Sequence, residues 1–239
     1  AERAPREPLV LGGEYRGPQW RKPNQTLGAT TLVETPFARV QLHRVQTEDG
    51  QHVIDDWLWV DERDAVNVVA RVKDGGRYVM FTQSKYGLEH DSLAPVGGFI
   101  NDGEAGLQAA MRELNEELGL ECPTWNSLGR YRTAVNRGGG WLHAFFADDC
   151  VAATRRKKSD DLEKQMVVHL TEEELLQALL RGEIGEVKWT AAVALSILHR
   201  QQHHHHQRAA REQAAAHQHQ HTQKPEAVWQ WRRIADRGI

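Results

Sequence analysis

The sequence has little that would direct the protein to a membrane or to nucleic acid. Its formal net charge is only -3 over 239 residues, which gives no reason to expect a nucleic-acid partner. No apolar run approaches the roughly 20 residues that a transmembrane helix needs, so we expect no membrane association. The opening residues AERAPREP also lack the apolar core of a signal peptide.

Cysteine is almost absent as well. Cys122 and Cys150 are the two cysteines of the chain, and their spacing indicates neither a metal-binding cluster nor a disulfide framework. Such usage is typical of a reducing compartment. We therefore expect an intracellular protein, in the cytoplasm or in an organelle after removal of a transit peptide.

The chain divides into three parts by composition. Its length suffices for one domain with attachments, and a hydrophobic content of 40% with eight tryptophans allows a real core. Residues 1–34 are polar and rich in Pro and Gly, and we interpret them as an extended arm with little regular structure. We expect one globular domain over 35–200 and a His/Gln-rich tail over 201–239.

Alternating hydrophobic residues predict several strands in the globular part. Residues 37–45 and 52–60 flank a turn at 48–50, which predicts an antiparallel hairpin. The β-branched run 65–72 predicts a buried strand, and 77–83 another. Further strands are expected at 127–131, 141–147 and 165–170, with glycines 138–140 as a loop or tight hairpin, and helices at 171–181, with Thr171 as N-cap, and 188–198.

The tail is compositionally biased. Eight of the 13 histidines lie from His199 onward. Residues 203–206 could bind transition metals weakly, and a tail without that role is the alternative. Trp229 and Trp231 near the end indicate docking onto a partner or onto the domain, because exposed tryptophan is uncommon without one.

The most informative segment reads GFINDGEAGLQAAMRELNEELGL over residues 98–120. Its composition predicts a helix over about 103–118. An apolar stripe of Leu107, Met111, Leu114 and Leu118, with Ala110 on its edge, is expected to pack on the core. Glu113, Glu116 and Glu117 lie at i, i+3 and i+4, so they cluster on a different face. Either this face is merely solvated, or it binds a hard cation such as Mg²⁺ or Mn²⁺ that keeps positions for substrate phosphates.

The spacing within this segment resembles the signature of the Nudix hydrolases. That signature reads Gx5Ex7REUxEExGU, with U a bulky aliphatic residue, and nine specified positions are met from Gly98 to Leu120. The resemblance implies an α/β/α sandwich around a mixed sheet. It also implies a metal-dependent hydrolase of a nucleoside diphosphate linked to another moiety.

The resemblance assigns roles to individual residues. Glu113, Glu116 and Glu117 would bind Mg²⁺ or Mn²⁺, together with the carbonyl oxygen of Gly97. Arg112 and Glu104 match the ion pair that orients the catalytic helix in the family, which is the rigid support that metal-facing carboxylates need.

Strands ahead of the helix point to one branch of the family. They resemble the ADP-ribose and nucleoside diphosphate sugar hydrolases, which have an N-terminal antiparallel region that builds a homodimer and part of the substrate pocket. Lys85 stands where that branch usually has Arg, which keeps a cation but loses bidentate geometry. Glu163 falls near the catalytic glutamate of an acidic loop, as a base or a further metal ligand; a solvated charged loop is the alternative.

The substrate is less well specified. Val96 stands where the branch usually has proline, and Pro123 is the only proline between residues 120 and 141. Aromatic platforms and cations could bind the base, ribose or phosphates, with sheet packing or solvation as the alternative for each: Trp57, Trp59, Tyr86, Arg132 and Arg137. Other readings are a dinucleoside polyphosphate hydrolase and a non-catalytic Nudix binding module.

Overall fold

The structure is a computed structural model that describes residues 9–10, 21–155 and 165–222. Most strands of this part of the chain precede the first helix. In order they are β1 (Leu9–Val10), β2 (Thr26–Glu34), β3 (Ala38–Gln46), β4 (Val53–Glu62), β5 (Ala65–Val72), a 3-10 turn (Asp74–Gly76), β6 (Tyr78–Gln83), β7 (Ser92–Ala94), β8 (Val96–Phe99), α1 (Gly106–Leu118), β9 (Leu120–Glu121), β10 (Thr124–Ala134), β11 (Gly138–Ala152), β12 (Gln165–Leu170), α2 (Glu172–Leu180) and α3 (Val187–Thr222).

The strands form one mixed sheet with the path β1-β2-β3-β4-β11-β5-β6-β12. β2, β3 and β4 are antiparallel to one another, whereas β11 runs parallel to β5. Gly138 of β11 also pairs with Val60 of β4. The long strand β11 therefore joins the N-terminal antiparallel region to the central strands.

Helices pack on both faces of the central sheet. Val66 and Val68 of β5 pack against α1 in one apolar cluster, while Val69 packs against α2 and the first turns of α3 in another. Because side chains alternate along a strand, β5 contributes to both clusters and reads as a continuous apolar run. The predicted α/β fold with a mixed sheet between helices is confirmed.

The apolar face of α1 differs from the predicted stripe. Leu107 and Met111 are 40% and 45% exposed, whereas Ala109, Ala110 and Leu114 are fully buried. Small alanine side chains let the helix lie close to the sheet, and this rotates the two larger residues toward solvent. The prediction was right for Leu114 and Leu118, which pack on the core, and wrong for Leu107 and Met111, because it weighted side-chain size rather than the distance of approach.

Most of the other predicted elements are confirmed. The hairpin is β3 and β4, the buried run is β5, and the strand predicted at 165–170 is β12. At α2, Thr171 accepts a hydrogen bond from the backbone of Glu174, and the Glu174 carboxylate accepts one from the backbone of Thr171 at 2.8 Å. This capping box is the reason that the helix begins where the sequence predicts.

One prediction of irregular structure was wrong and another was right in part. Residues 26–34 of the expected arm form β2, a nine-residue strand paired with β3. The tight hairpin predicted around glycines 138–140 is present, with its turn at 135–137, but the glycines themselves begin β11. These glycines are buried, and a Cβ at Gly140 would overlap the backbone of Arg63. They permit close approach of a neighbouring strand.

The second compact unit begins at His199. Its described residues are helical through Thr222, beyond the helix end predicted near residue 198. Ala, Gln, Arg and Glu all favour helices, and Arg208 donates a hydrogen bond to Glu212 one turn later at 2.9 Å. Trp229 and Trp231 lie outside the described residues. Within those residues, no helix has the length and apolar character to cross a membrane.

The two cysteines form a disulfide, contrary to the prediction from their spacing. Glu121 of β9 pairs with Val151 of β11, so the adjacent residues Cys122 and Cys150 face each other across the two strands. A separation of 28 residues conceals this proximity in the sequence. The expectation of a reducing compartment therefore loses its basis in cysteine usage.

We predict that the disulfide stabilises the fold substantially. Removing it in a Cys122→Ala/Cys150→Ala double variant should lower the free energy of unfolding by about 3 to 4 kcal/mol. The reason is that the bond closes a loop between residues 28 positions apart and so restricts the unfolded chain. Urea denaturation of the oxidised wild type and of the variant measures the difference. A reductant should destabilise the wild type and leave the variant unchanged. Equal stability of both proteins would contradict the prediction.

Candidate active site

Arg112 is the centre of an ion-pair network on α1. Its Nε and Nη2 donate hydrogen bonds to the two carboxylate oxygens of Glu104, at 2.8 and 2.9 Å. Its Nη1 donates to Glu113 at 2.7 Å and to Glu116 at 3.1 Å. The hydrogen bond to Glu104 is the main reason that the pKa of Arg112 is raised. One cation thus holds three carboxylates that would otherwise repel one another.

The same network attaches α1 to the loops around it. Arg112 donates a further hydrogen bond to the carbonyl oxygen of Phe99 at 2.9 Å, and Glu104 accepts one from the backbone of Asn101 at 3.0 Å. The Glu113 carboxylate lies directly over Gly98, where any Cβ would overlap it. A side chain at position 98 would therefore displace this carboxylate from its present position.

Glu117 lies one turn after Glu113 and is only 9% exposed. It borders a small cavity of about 160 Å³ between the end of α1 and the β6 and β12 strands, where the other lining residues are Val72, Val79, Leu118, Leu120, Val167 and His169. It therefore adds a third carboxylate to the same part of α1 as Glu113 and Glu116.

A buried asparagine lies behind the glycine loop. Asn67 of β5 pairs with Gly97 of β8, and a Cβ at Gly97 would meet the Asn67 amide nitrogen. In the described part of the chain, Oδ1 of Asn67 has no hydrogen-bond partner. The sequence analysis missed this residue, although a polar residue inside the apolar run AVNVVA was a usable signal.

The donor chemistry of α1 suits a hard divalent cation. Glu113, Glu116 and Glu117 supply carboxylate oxygens, and the neighbouring loop supplies carbonyl oxygens, which are the ligands that Mg²⁺ prefers. Among the residues that the structure describes, no three such side chains are close enough to form a metal-binding group. Arg112 instead holds two of the carboxylates. The assignment of a divalent-cation site to α1 therefore rests on the types of these residues and on the proximity of Glu113 to Gly98.

A second cavity, of about 310 Å³, lies in the N-terminal strand region. Trp57 and Trp59 line it, together with the cationic residues Arg21 and Lys22, and we call it the tryptophan cavity. The Trp57 indole donates a hydrogen bond to the carbonyl oxygen of Asn136 at 2.8 Å. Trp59 is buried, and its indole donates to Asp61 at 2.9 Å. Trp57, only partly buried, is the better candidate of the two for stacking on a ligand.

Buried polar groups support this second cavity. His43 stacks on Trp59 with ring centres 5.2 Å apart and bonds to the Gln41 side chain. Burial, with Arg21 nearby, lowers the pKa of His43, so the ring is neutral at pH 7. Burial also raises the pKa of Asp61. The sequence analysis missed both residues, and their only signal was an inward position in an alternating strand.

The remaining predicted residues are spread over the domain. The Arg132 side chain is buried, donates a hydrogen bond to the carbonyl oxygen of Gly138 at 2.9 Å and lies 5.7 Å from the Trp59 ring centre. Arg137 and Tyr86 are exposed, and Lys85 is partly buried just after β6. None of Arg137, Tyr86 and Lys85 lines the tryptophan cavity. Glu163 lies outside the described residues.

The comparison with known families agrees with the geometry of α1 and its loops. The family model described as NUDIX domain matches residues 61–213, well over half of the chain. The chain belongs to the Nudix family. The residues that Arg112 brings together are those of the Nudix signature, and the enzyme is a Nudix pyrophosphohydrolase.

One curated protein and one solved structure are similar to this chain. The ADP-ribose pyrophosphatase of Bacillus subtilis (strain 168) is 26% identical over 129 residues, which cover 54% of this chain and 69% of that protein. The crystal structure of an ADP compounds hydrolase has the same fold, with a TM-score of 0.61 and 20% identity. It covers 77% of this chain and 94% of the other.

We predict that Arg112 cannot be replaced by another cation without loss of stability. Arg112→Lys keeps the charge but cannot bind Glu104 through two parallel hydrogen bonds, so the free energy of unfolding should fall by about 1.5 to 3 kcal/mol. Chemical denaturation measures this change. Arg208→Lys alters an exposed Arg–Glu pair on α3 and should have no measurable effect. Equal stability of the Arg112→Lys variant and the wild type would contradict the network's importance.

Proposed function

We propose that this Nudix enzyme hydrolyses the diphosphate of ADP-ribose or a related nucleoside diphosphate sugar. The products are a nucleoside monophosphate and a sugar phosphate. One observation carries the proposal: Arg112, bound to Glu104, Glu113 and Glu116, sits beside Gly98 with Glu117 one turn away. These charged residues all belong to the Nudix signature, which supports the proposal that they form one site.

The chain's own groups divide the work. Glu113, Glu116, Glu117 and the carbonyl oxygen of Gly97 would hold Mg²⁺ or Mn²⁺. When bound, the ion neutralises phosphate charge and lowers the pKa of a water molecule. Arg112, anchored by Glu104, keeps the helix and the glycine loop in fixed register. Such rigid support is what positions carboxylates accurately enough for catalysis.

The substrate class is supported by the layout of the chain and by the names of its relatives. An ADP-ribose pyrophosphatase and an ADP compounds hydrolase are both named for adenosine diphosphate compounds. In this chain Trp57 offers a face for a base, and Lys85 or Arg137 offers a cation for phosphate or ribose. Arg132 acts indirectly, because its guanidinium lies near the Trp59 ring and holds that ring in place. Glu163 is our candidate for the water-activating base.

Partners follow from the same proposal. The ligand is a small nucleotide, and neither nucleic acid nor a membrane is needed. We propose a homodimer formed through the N-terminal strands. A non-catalytic binding module is disfavoured because it would not need Glu113, Glu116 and Glu117 together.

We predict that activity depends on the Glu117 carboxylate. Wild type should release AMP from ADP-ribose in the presence of Mg²⁺, and Glu117→Gln should lower kcat at least about a hundredfold, since one ligand for the ion and its charge are lost. Glu173→Gln, an exposed glutamate on α2, is the matched control and should behave as wild type. Equal rates for wild type and Glu117→Gln would refute the catalytic assignment. Activity confined to dinucleoside polyphosphates in a substrate panel would refute only the choice of substrate.

We predict that Trp57 contributes to binding of the base. Trp57→Ala should raise KM for ADP-ribose about tenfold or more with little change in kcat, because stacking stabilises substrate and transition state alike. Trp57→Phe keeps an aromatic face and should recover most of the affinity. Steady-state kinetics on both variants measures the effect. An unchanged KM in Trp57→Ala would remove the tryptophan cavity from the substrate site.

A further inference from the structure

A buried polar atom at the end of β6 has no hydrogen-bond partner among the described residues. Gln83 is the last residue of β6 and is only 5% exposed. Within the described residues, its side-chain oxygen Oε1 accepts no hydrogen bond. Burying an acceptor without a donor costs stability, and such groups in native proteins often have a functional explanation.

Strand alternation places the Gln83 side chain on the face of the sheet that carries α1. Phe81, two residues earlier, packs with Leu114 of α1, and Val79 lines the same cavity as Glu117. Side chains at i, i+2 and i+4 share one face of a strand. Gln83 therefore projects from the same face as Val79 and Phe81.

The register places Gln83 level with the glycine loop. β5 and β6 are paired at Ala70 and Val79. Beyond this pair the two strands diverge, and we call the arrangement of the diverging strands the fork. β7 pairs along β6 as far as Gln83, and β8 pairs along β5, with Gly98 opposite Val66. Gln83 and Gly98 thus stand at the open end of the fork, and the Glu113 carboxylate lies over Gly98.

We propose that Gln83 positions the attacking water, an inference that rests on the proposed function. Its Oε1 accepts one hydrogen bond from the water and so aims the water oxygen at phosphorus. The water oxygen bonds to phosphorus, and the bridging P–O bond breaks with its electron pair passing to the departing phosphate. The water loses its other proton to the general base of the site, and from there the proton reaches solvent. The amide remains neutral throughout.

Gln83→Met tests this role, because methionine has similar volume but no strong acceptor. We expect kcat for ADP-ribose to fall about tenfold or more with KM changed less than about threefold, which is the pattern of an interaction made in the transition state. We also expect an unchanged or higher Tm, because an unsatisfied buried acceptor has been removed. Thr82→Val, on the opposite face of the same strand, should match wild type in kcat, KM and Tm.

Each other outcome overturns the assignment in a recognisable way. A raised KM with unchanged kcat would mean that Gln83 contacts the substrate rather than water. A lowered Tm with a parallel loss of active protein would mean that its role is structural. If wild type is active, Glu117→Gln is inactive and Gln83→Met equals wild type, only the role of Gln83 fails. If wild type is inactive on every nucleotide sugar, the proposed function fails first.

Discussion

The bond between Arg112 and Glu104 is the interaction on which the site depends. Without it, α1 would carry three glutamates within one turn beside a glycine loop, and their repulsion would disfavour both the helix and its approach to the sheet. The guanidinium binds Glu104 through two hydrogen bonds and still reaches Glu113, Glu116 and the carbonyl oxygen of Phe99. A lysine could satisfy one of these acceptors well, but not the planar set.

Small residues allow α1 to pack at a short distance from the central sheet. Ala109 and Ala110 remove the bulk that would keep α1 away from β5, and Gly98 removes the Cβ that would block Glu113. At the other end, β9 pairs with β11 directly after the helix, and the Cys122–Cys150 disulfide closes that pairing. The carboxylate-bearing helix is therefore fixed at its start, middle and end.

Local chemistry explains which parts of this arrangement could be predicted from the sequence. β5, β12 and the capped start of α2 followed from patterns contained within ten residues, and the structure agrees with them. The signature carried Glu104 and Arg112 because their spacing is fixed along the chain. The proximity of Cys122 to Cys150 and the pairing of Asn67 with Gly97 depend on which strands are neighbours, and a single sequence does not encode strand order in any local pattern.

The residues that the sequence analysis missed share one property, which is a polar side chain in a buried position. Asn67, Asp61 and Gln83 are polar and buried where an apolar side chain would fill the same space at lower cost. Asp61 offsets part of this cost by accepting a hydrogen bond from the Trp59 indole. Among the described residues, the side-chain oxygens of Asn67 and Gln83 accept no hydrogen bond. Folding alone gives no reason to keep an unsatisfied acceptor on either side of the fork that opens beside Gly98. The proposed reaction gives such a reason for Gln83, which projects from the face of the sheet that carries α1. Asn67 alternates with Val66 and Val68 and so projects from the opposite face, and the same reaction does not account for its unsatisfied acceptor.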